Sequence, residues 1–121
     1  MKFENTELET VIANLNVLDD IMKVHGLERG EHWDYDRVTY DRKLEIEKDV
    51  YYLRVQGYAT EGDIGANHAT IQLLKPILGK HYYPHGVEYG SDEHFPEHLV
   101  KECETVLNAI KSQINEFSAV K

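Results

Sequence analysis

The chain is short of the residues that mark a secreted, membrane-bound or nucleic-acid-binding protein. Cys103 is its one cysteine, so no disulfide can close within it, which suits a reducing compartment. No run approaches the ~18 apolar residues of a membrane span, and the opening "MKFENTELET" lacks the apolar core of an export signal. Basic residues are scarce, 13 against 22 acids, for a formal net charge of −9. Proteins that grip duplex nucleic acid draw most of their affinity from Lys and Arg neutralising phosphates. This chain would repel DNA, RNA and anionic lipid, and it has no basic run to reverse the field locally. A phosphate-cradling loop is missing too, since "ATEGDIGANH" has neither the spacing nor the lysine. No nucleophile stands beside a base in a recognisable motif. These absences predict a cytoplasmic protein with no nucleic-acid and no membrane partner.

What is present fits a single α+β domain over residues 1–121, long enough to bury a continuous core. The clearest element is C-terminal. Leu99, Cys103, Val106, Ile110, Ile114 and Phe117 recur at steps of three and four, widened by Val100 and Leu107, with Glu102, Glu104, Asn108, Lys111, Ser112 and Asn115 on the other side. That spacing predicts a long amphipathic helix with one buried face. Pro96 suits its first turn, where the backbone N–H needs no partner. Cys103 lies on the stripe and reads as a small buried hydrophobe rather than a reactive thiol.

The N-terminal stretch supports two readings. Leu8, Val11, Ile12, Leu15, Leu18 and Met22 could line one helix opened by the capping-box sequence "TELE". Alternatively a short strand ends near Ile12 and a helix starts after Asn16, with Asp19 at the acidic box position. Asn14 and Asn16 compete for backbone hydrogen bonds inside a helix, so strand then helix is preferred. In both readings Gly26 ends the helix, with His25 in its last turn.

The middle of the chain alternates as strands do. In "VYYLRVQGYA", Tyr51, Leu53 and Val55 share one face and Tyr52, Arg54 and Gln56 the other. In "NHATIQLL", Ala69, Ile71 and Leu73 point inward. A hairpin turn is expected at Glu47–Asp49 and a loop at "TEGDIG", residues 60–65. Upstream, "GEHWDYDRVTYDRK" changes phase: Trp33 and Tyr35 are odd positions, Val38, Tyr40, Leu44 and Ile46 even. A strand keeps its faces only with strict period two, so a bulge or bend is expected near Asp36–Arg37. Trp33, Tyr35, Val38, Tyr40 and Leu44 can then share the core side, leaving Asp34, Asp41, Lys43 and Glu45 to water. The acids read as a solvated strand face, not a catalytic set.

"HWDYD" at 32–36, "YDRK" at 40–43, "YYLRV" at 51–55 and "HYYPHG" at 81–86 resemble the YugN-like family, small proteins of Bacillus-type bacteria. The likeness runs from about Leu8 to about Gly86, and the tryptophan–acid–tyrosine–acid block is its most specific part. "LLKPILGKHYY" departs from the Gly–x–Pro pattern of the matching segment, which implies a different loop there. The resemblance implies a compact α+β domain with an antiparallel sheet. It implies no activity and brings no catalytic residues.

Seven histidines is a high count, and four fall in residues 79–98 as His81, His85, His94 and His98, with acids interspersed. Imidazoles and carboxylates are the usual ligands of zinc, nickel or manganese. "HFPEH" has the form of an inverted zinc-protease motif, but Pro96 puts its first histidine at or before the helix start, and too little chain follows for a third ligand and a cleft. The remaining metal candidates are His81, His85 and His94 with Asp92 or Glu88. The plainer reading is a Tyr- and His-rich loop over the sheet edge.

The expected architecture is an antiparallel sheet of four to five strands with an N-terminal and a long C-terminal helix. Two helices cover one face of such a sheet, leaving a tyrosine-rich second face for which Tyr52, Arg54, Tyr82 and Tyr83 are the candidate ligand or interface residues. The expected role is a non-enzymatic binding or assembly module without cofactor, a homo-oligomer with a further protein or small-molecule partner left open. The alternative is a metal-dependent or small-molecule enzyme built on the 81–98 loop.

Overall fold

A computed structural model describes residues 1–30, 36–64, 68–82, 84, 86–90 and 93–119. After a 3-10 turn at Leu8–Thr10 come β1 (Ile12–Asn14), α1 (Leu15–Val24), β2 (Glu28–Arg29), β3 (Arg37–Ile46), β4 (Asp49–Asp63), β5 (His68–Leu73), β6 (Ile77–His81), β7 (Val87–Glu88) and α2 (Glu97–Ala119). The α+β architecture is as expected, with more strands: seven among the described residues, all paired antiparallel.

Strand then helix is the outcome at the N-terminus, and the reason is Asn14. Its backbone is extended and its side chain accepts from Asn16 N at 2.9 Å, so the helix starts two residues earlier than expected, capped by the first asparagine. Thr6 does accept from a backbone N–H, that of Leu8 at 3.4 Å, but it opens only the 3-10 turn. Asp19 is not a capping acid. It accepts a 2.6 Å hydrogen bond from the buried Tyr40 hydroxyl. Gly26 ends α1 at φ +80°. Leu27 N bonds to Met22 O and Gly26 N to Lys23 O, the Schellman arrangement that satisfies the last carbonyls. His25 then reaches across to α2, its Nε2 2.9 Å from Gln113 Oε1.

β4 is the spine of the sheet. On one edge it pairs with β3 from Ile46↔Asp49 to Arg37↔Tyr58 around a two-residue turn, where Glu47 takes φ 55°. On the other edge it pairs first with β6, Val50↔His81 to Arg54↔Ile77, and then with β5, Gly57↔Leu73 to Asp63↔His68. The expected loop over residues 60–65 is a correction: β4 runs on to Asp63. A register shift between Ala59 and Glu61 absorbs Thr60, and Gly62 at φ +83° lets His68 O approach to where a Cβ would be 2.2 Å away. Turn-forming residues here serve a bulge instead of ending the strand.

The inner face follows the alternation. Tyr51, Leu53, Val55, Val38, Tyr40, Ala69, Ile71 and Leu73 are buried, and they join one core with Leu15, Leu18, Ile21 and Met22 of α1 and Leu99, Cys103, Leu107, Ile110 and Ile114 of α2. The chain bends at Asp36 before β3, where a bend or bulge was expected. Trp33, Asp34 and Tyr35 lie outside the described residues. One residue of the α2 stripe needs correction: Phe117 is 50% exposed, because the helix runs on past the sheet, whereas Leu107, expected to widen the stripe, is fully buried. Pro96 precedes the helix, its carbonyl accepting from Leu99 N and Val100 N.

Candidate functional site

Residues directly opposite on antiparallel strands share a face. The outer face therefore carries a row Arg37–Tyr58–Gln72–Ile12 and a row Glu28–Asp41–Arg54–Ile77, followed by Lys43–Tyr52–Gly79. Gly79 apart, none of these residues is buried.

Arg54 organises this surface. Its Nε and Nη2 donate to the two carboxylate oxygens of Asp41 at 2.8 and 3.0 Å, and the bidentate pair holds the guanidinium flat and raises its pKa further. Asp41 is thus not the free solvated acid expected of it. The guanidinium carbon lies 5.1 Å from the centroid of Tyr89. Tyr89 follows β7 and rests on Gly79: a Cβ there would come within 2.6 Å of the Tyr89 ring and of Val87. Burial raises the Tyr89 phenol pKa, and its buried hydroxyl has no hydrogen-bond partner among the described residues. His81 meets Tyr52 edge-on, with ring centroids 6.3 Å apart.

Two clefts adjoin this corner, both lined in part by Lys2. One, of about 620 Å³, lies on the outer face among Gln56, Tyr58, Gln72, Lys75, Ile77 and Glu9. The other, of about 770 Å³, is bounded by Met1, Glu4, Tyr89, Glu93, His94, Phe95 and Val100. The N-terminal segment forms one of its walls, held to β6 by Leu78 N to Met1 O at 2.8 Å, to the residue before β6 by Phe3 N to Pro76 O at 2.9 Å, and by the Met1 ammonium, which donates to Leu78 O at 3.0 Å and Tyr89 O at 2.8 Å.

The structure divides the residues singled out from the sequence. Tyr52 and Arg54 do come together. Tyr82 does not join them: its ring lies 5.1 Å from Lys80 Nζ and its hydroxyl donates to Glu93, which pushes the phenol up to about 12. Glu88 pairs with Lys80 and Val87 with His81, so Glu88 and His81 face opposite sides of the β6–β7 ribbon. His94 stands at the larger cleft. Tyr83, His85 and Asp92 lie outside the described residues, and among those described no three His, Cys, Asp or Glu side chains gather as metal ligands would. Cys103 is buried in the core, and desolvation pushes its thiol up to about 12, so it is not a thiolate at neutral pH. Among the described residues no helix is long and apolar enough to cross a membrane.

Sequence reasoning missed Tyr89 and the Asp41–Arg54 bond. The second was within reach: once the hairpin turn sits at Glu47–Lys48, every β3–β4 pair follows, Asp41 opposite Arg54 included. Nothing local marks Tyr89, which reaches Gly79 only through the β6–β7 ladder.

The chain is 53% identical to the chain in the crystal structure of the uncharacterized conserved protein YugN from Geobacillus kaustophilus HTA426, with a TM-score of 0.87 and 98% of each chain covered. It is 49% identical over 114 residues to the uncharacterized protein YlbA of Bacillus subtilis (strain 168), covering 94% of this chain and 95% of that one. The sequence pattern of the YugN-like family matches residues 4–119, which extends the likeness beyond Gly86 to include α2; the chain belongs to the YugN-like family.

Proposed function

We propose that this protein is a non-enzymatic binding and assembly module of the cytoplasm, and that its outer sheet face pairs with the same face of a second copy. The supporting observation is the row Arg37–Tyr58–Gln72–Ile12, in which Tyr58 is 41% and Ile12 58% exposed. Both helices pack into the core on the opposite side, so these apolar groups have no covering layer among the described residues. At strand spacings of about 4.8 Å and rises of about 3.4 Å per residue, a five-strand face offers on the order of 600 Å². Two such faces reach the lower end of stable interfaces, about 1,200 Å² in total. Interleaved acids and bases, Asp41 and Glu28 against Lys43 and Arg37, suit a self-complementary contact around a two-fold axis. The net charge of −9 and the single buried thiol agree with a reducing, nucleic-acid-free setting.

Light scattering coupled to size exclusion tests the reading. Wild-type protein should elute as a dimer that dissociates on dilution. The double variant Tyr58→Glu with Ile12→Ser should be a monomer with an unchanged circular dichroism spectrum. A wild-type chain that is monomeric at high concentration rules the pairing out.

A further inference from the structure

We infer that β3 pairs edge to edge with β3 of a second copy, joining two sheets into one across a two-fold axis at Leu44. This join goes beyond the face pairing, because it uses the backbone margin of the sheet and not its outer surface. Along a strand, successive residues aim their backbone groups at alternate neighbours. Thr39 O accepts from Gly30 N, on the side of β3 away from β4, so the odd positions of β3 point away from β4. At Thr39 and Asp41 that edge is taken by Gly30 and β2. From Lys43 to Ile46 no described strand lies beside it. The N–H and C=O of Lys43 and of Glu45 are thus four groups aimed at an open edge. The opposite margin shows what such an edge takes: β6 is covered by the N-terminal segment at Ile77 and by β7 at Lys80 and His81.

The sequence of this edge is its own complement. In an antiparallel pair centred on Leu44, Lys43 stands opposite the partner's Glu45 and Glu45 opposite the partner's Lys43. All four backbone groups then find partners, in two hydrogen-bonded pairs. Both charges meet their opposites, whereas an axis at Lys43 or at Glu45 would set like charges face to face. Leu44, half-buried at the margin of the core, meets its own copy in the closer, non-hydrogen-bonded pair between them. A lone lysine on an edge strand discourages pairing; the glutamate two residues on reverses that here. Lys43 and Glu45 are exposed and already meet each other at 3.3 Å, and exchanging one exposed ion pair for another costs little. So short a ladder falls below the about 1,200 Å² of a stable interface. It adds to the face pairing and extends the assembly past two copies as concentration rises.

The test uses the full chain carrying Tyr58→Glu with Ile12→Ser, in which the face is blocked. Leu44→Cys in that background should give a disulfide-linked dimer under mild oxidation, since the two Cα atoms of a non-hydrogen-bonded pair lie about 4.5 Å apart. Glu45→Cys, at the more exposed position, should not, because its copies lie about 8 Å apart. The buried Cys103 stays out of the reaction. By sedimentation at rising concentration, Lys43→Glu and Glu45→Lys should each weaken self-association about tenfold, as two opposed charge pairs become repulsive. The two changes combined should restore it. Equal oxidation of Leu44→Cys and Glu45→Cys, single reversals without effect, or a combined variant as weak as the singles would each overturn the proposal. None of these outcomes bears on the face pairing, which is read in the wild-type chain through Tyr58 and Ile12.

Discussion

Leu53 and Arg54 are neighbours on β4 with opposite surroundings. Leu53 has no exposed surface and lies in the core shared with both helices. Arg54 is about a third exposed and is positioned by two directed contacts, a bidentate bond to Asp41 and the face of Tyr89. The inner face is specified by volume: any well-fitting hydrophobe would do, and the cost of error is a cavity. The outer face is specified by register, because its contacts exist only if β3, β4 and β6 align in one way. Stability therefore concentrates on one side of the sheet and recognition on the other, and substitutions should separate the two.

The largest effect is expected inside. Leu53→Ala should destabilise the fold by about 2–5 kcal/mol, the range for truncating a fully buried leucine, as read by urea denaturation. A loss under ~1 kcal/mol would show that the inner face repacks easily and that the contrast is overdrawn. Next comes Gly79→Ala, the sharpest test of the outer face. The new methyl would meet Tyr89 and Val87 at 2.6 Å, forcing the ring off the sheet at a cost of about 1–3 kcal/mol. Tyr89 should then lose Arg54, visible as a shift in the Arg54 guanidinium NMR signals. An unchanged signal would mean that Tyr89 does not need Gly79.

Alkali gives the gentlest test. Cys103 and Tyr40 hold their protons in the fold more tightly than when unfolded, both chiefly through burial, with Asp19 next for Tyr40. A raised folded pKa gives stability that is complete below the unfolded values, about 8.5 for the thiol and about 10 for the phenol. That stability drains away as pH rises past them towards the folded values, about 12 for Cys103. The melting temperature should thus begin to fall above pH ~9, and Cys103→Ala should delay the onset. If the variant and the wild type decline together, the buried thiol is not a source of the pH dependence.

The inner half of this architecture was legible from period alone. Tyr51, Leu53, Val55, Ala69, Ile71 and Leu73 are buried where alternation put them, because one face had to be dry and a one-residue slip would have wetted it. The stripe on α2 failed only at Phe117, where helix remains but the core has ended. β2 and β7 escaped notice because two residues display no period. β6 escaped because it follows a proline, contains Gly79 and ends in Lys80 and His81, so Leu78 is its one fully buried apolar side chain. For the candidate site, Tyr52 and Arg54 were readable as a wet face. Tyr89 and the cleft were not, since they arise where distant segments meet, and such meetings leave no local pattern.

β4 also decides how the molecule comes apart. It is flanked by β3 on one edge and by β6 and β5 on the other, so its amides meet solvent only when a whole neighbouring strand departs. The three-residue β1 and the two-residue β2 and β7 hang on the periphery and can fray without disturbing it. Hydrogen exchange should accordingly fall into tiers, with the margins opening at little cost and the β3–β4 ladder protected up to the free energy of global unfolding. The N-terminal Met1 and Phe3 belong with the protected part, since both hydrogen-bond to the chain at Pro76–Leu78 and Phe3 is buried in the core.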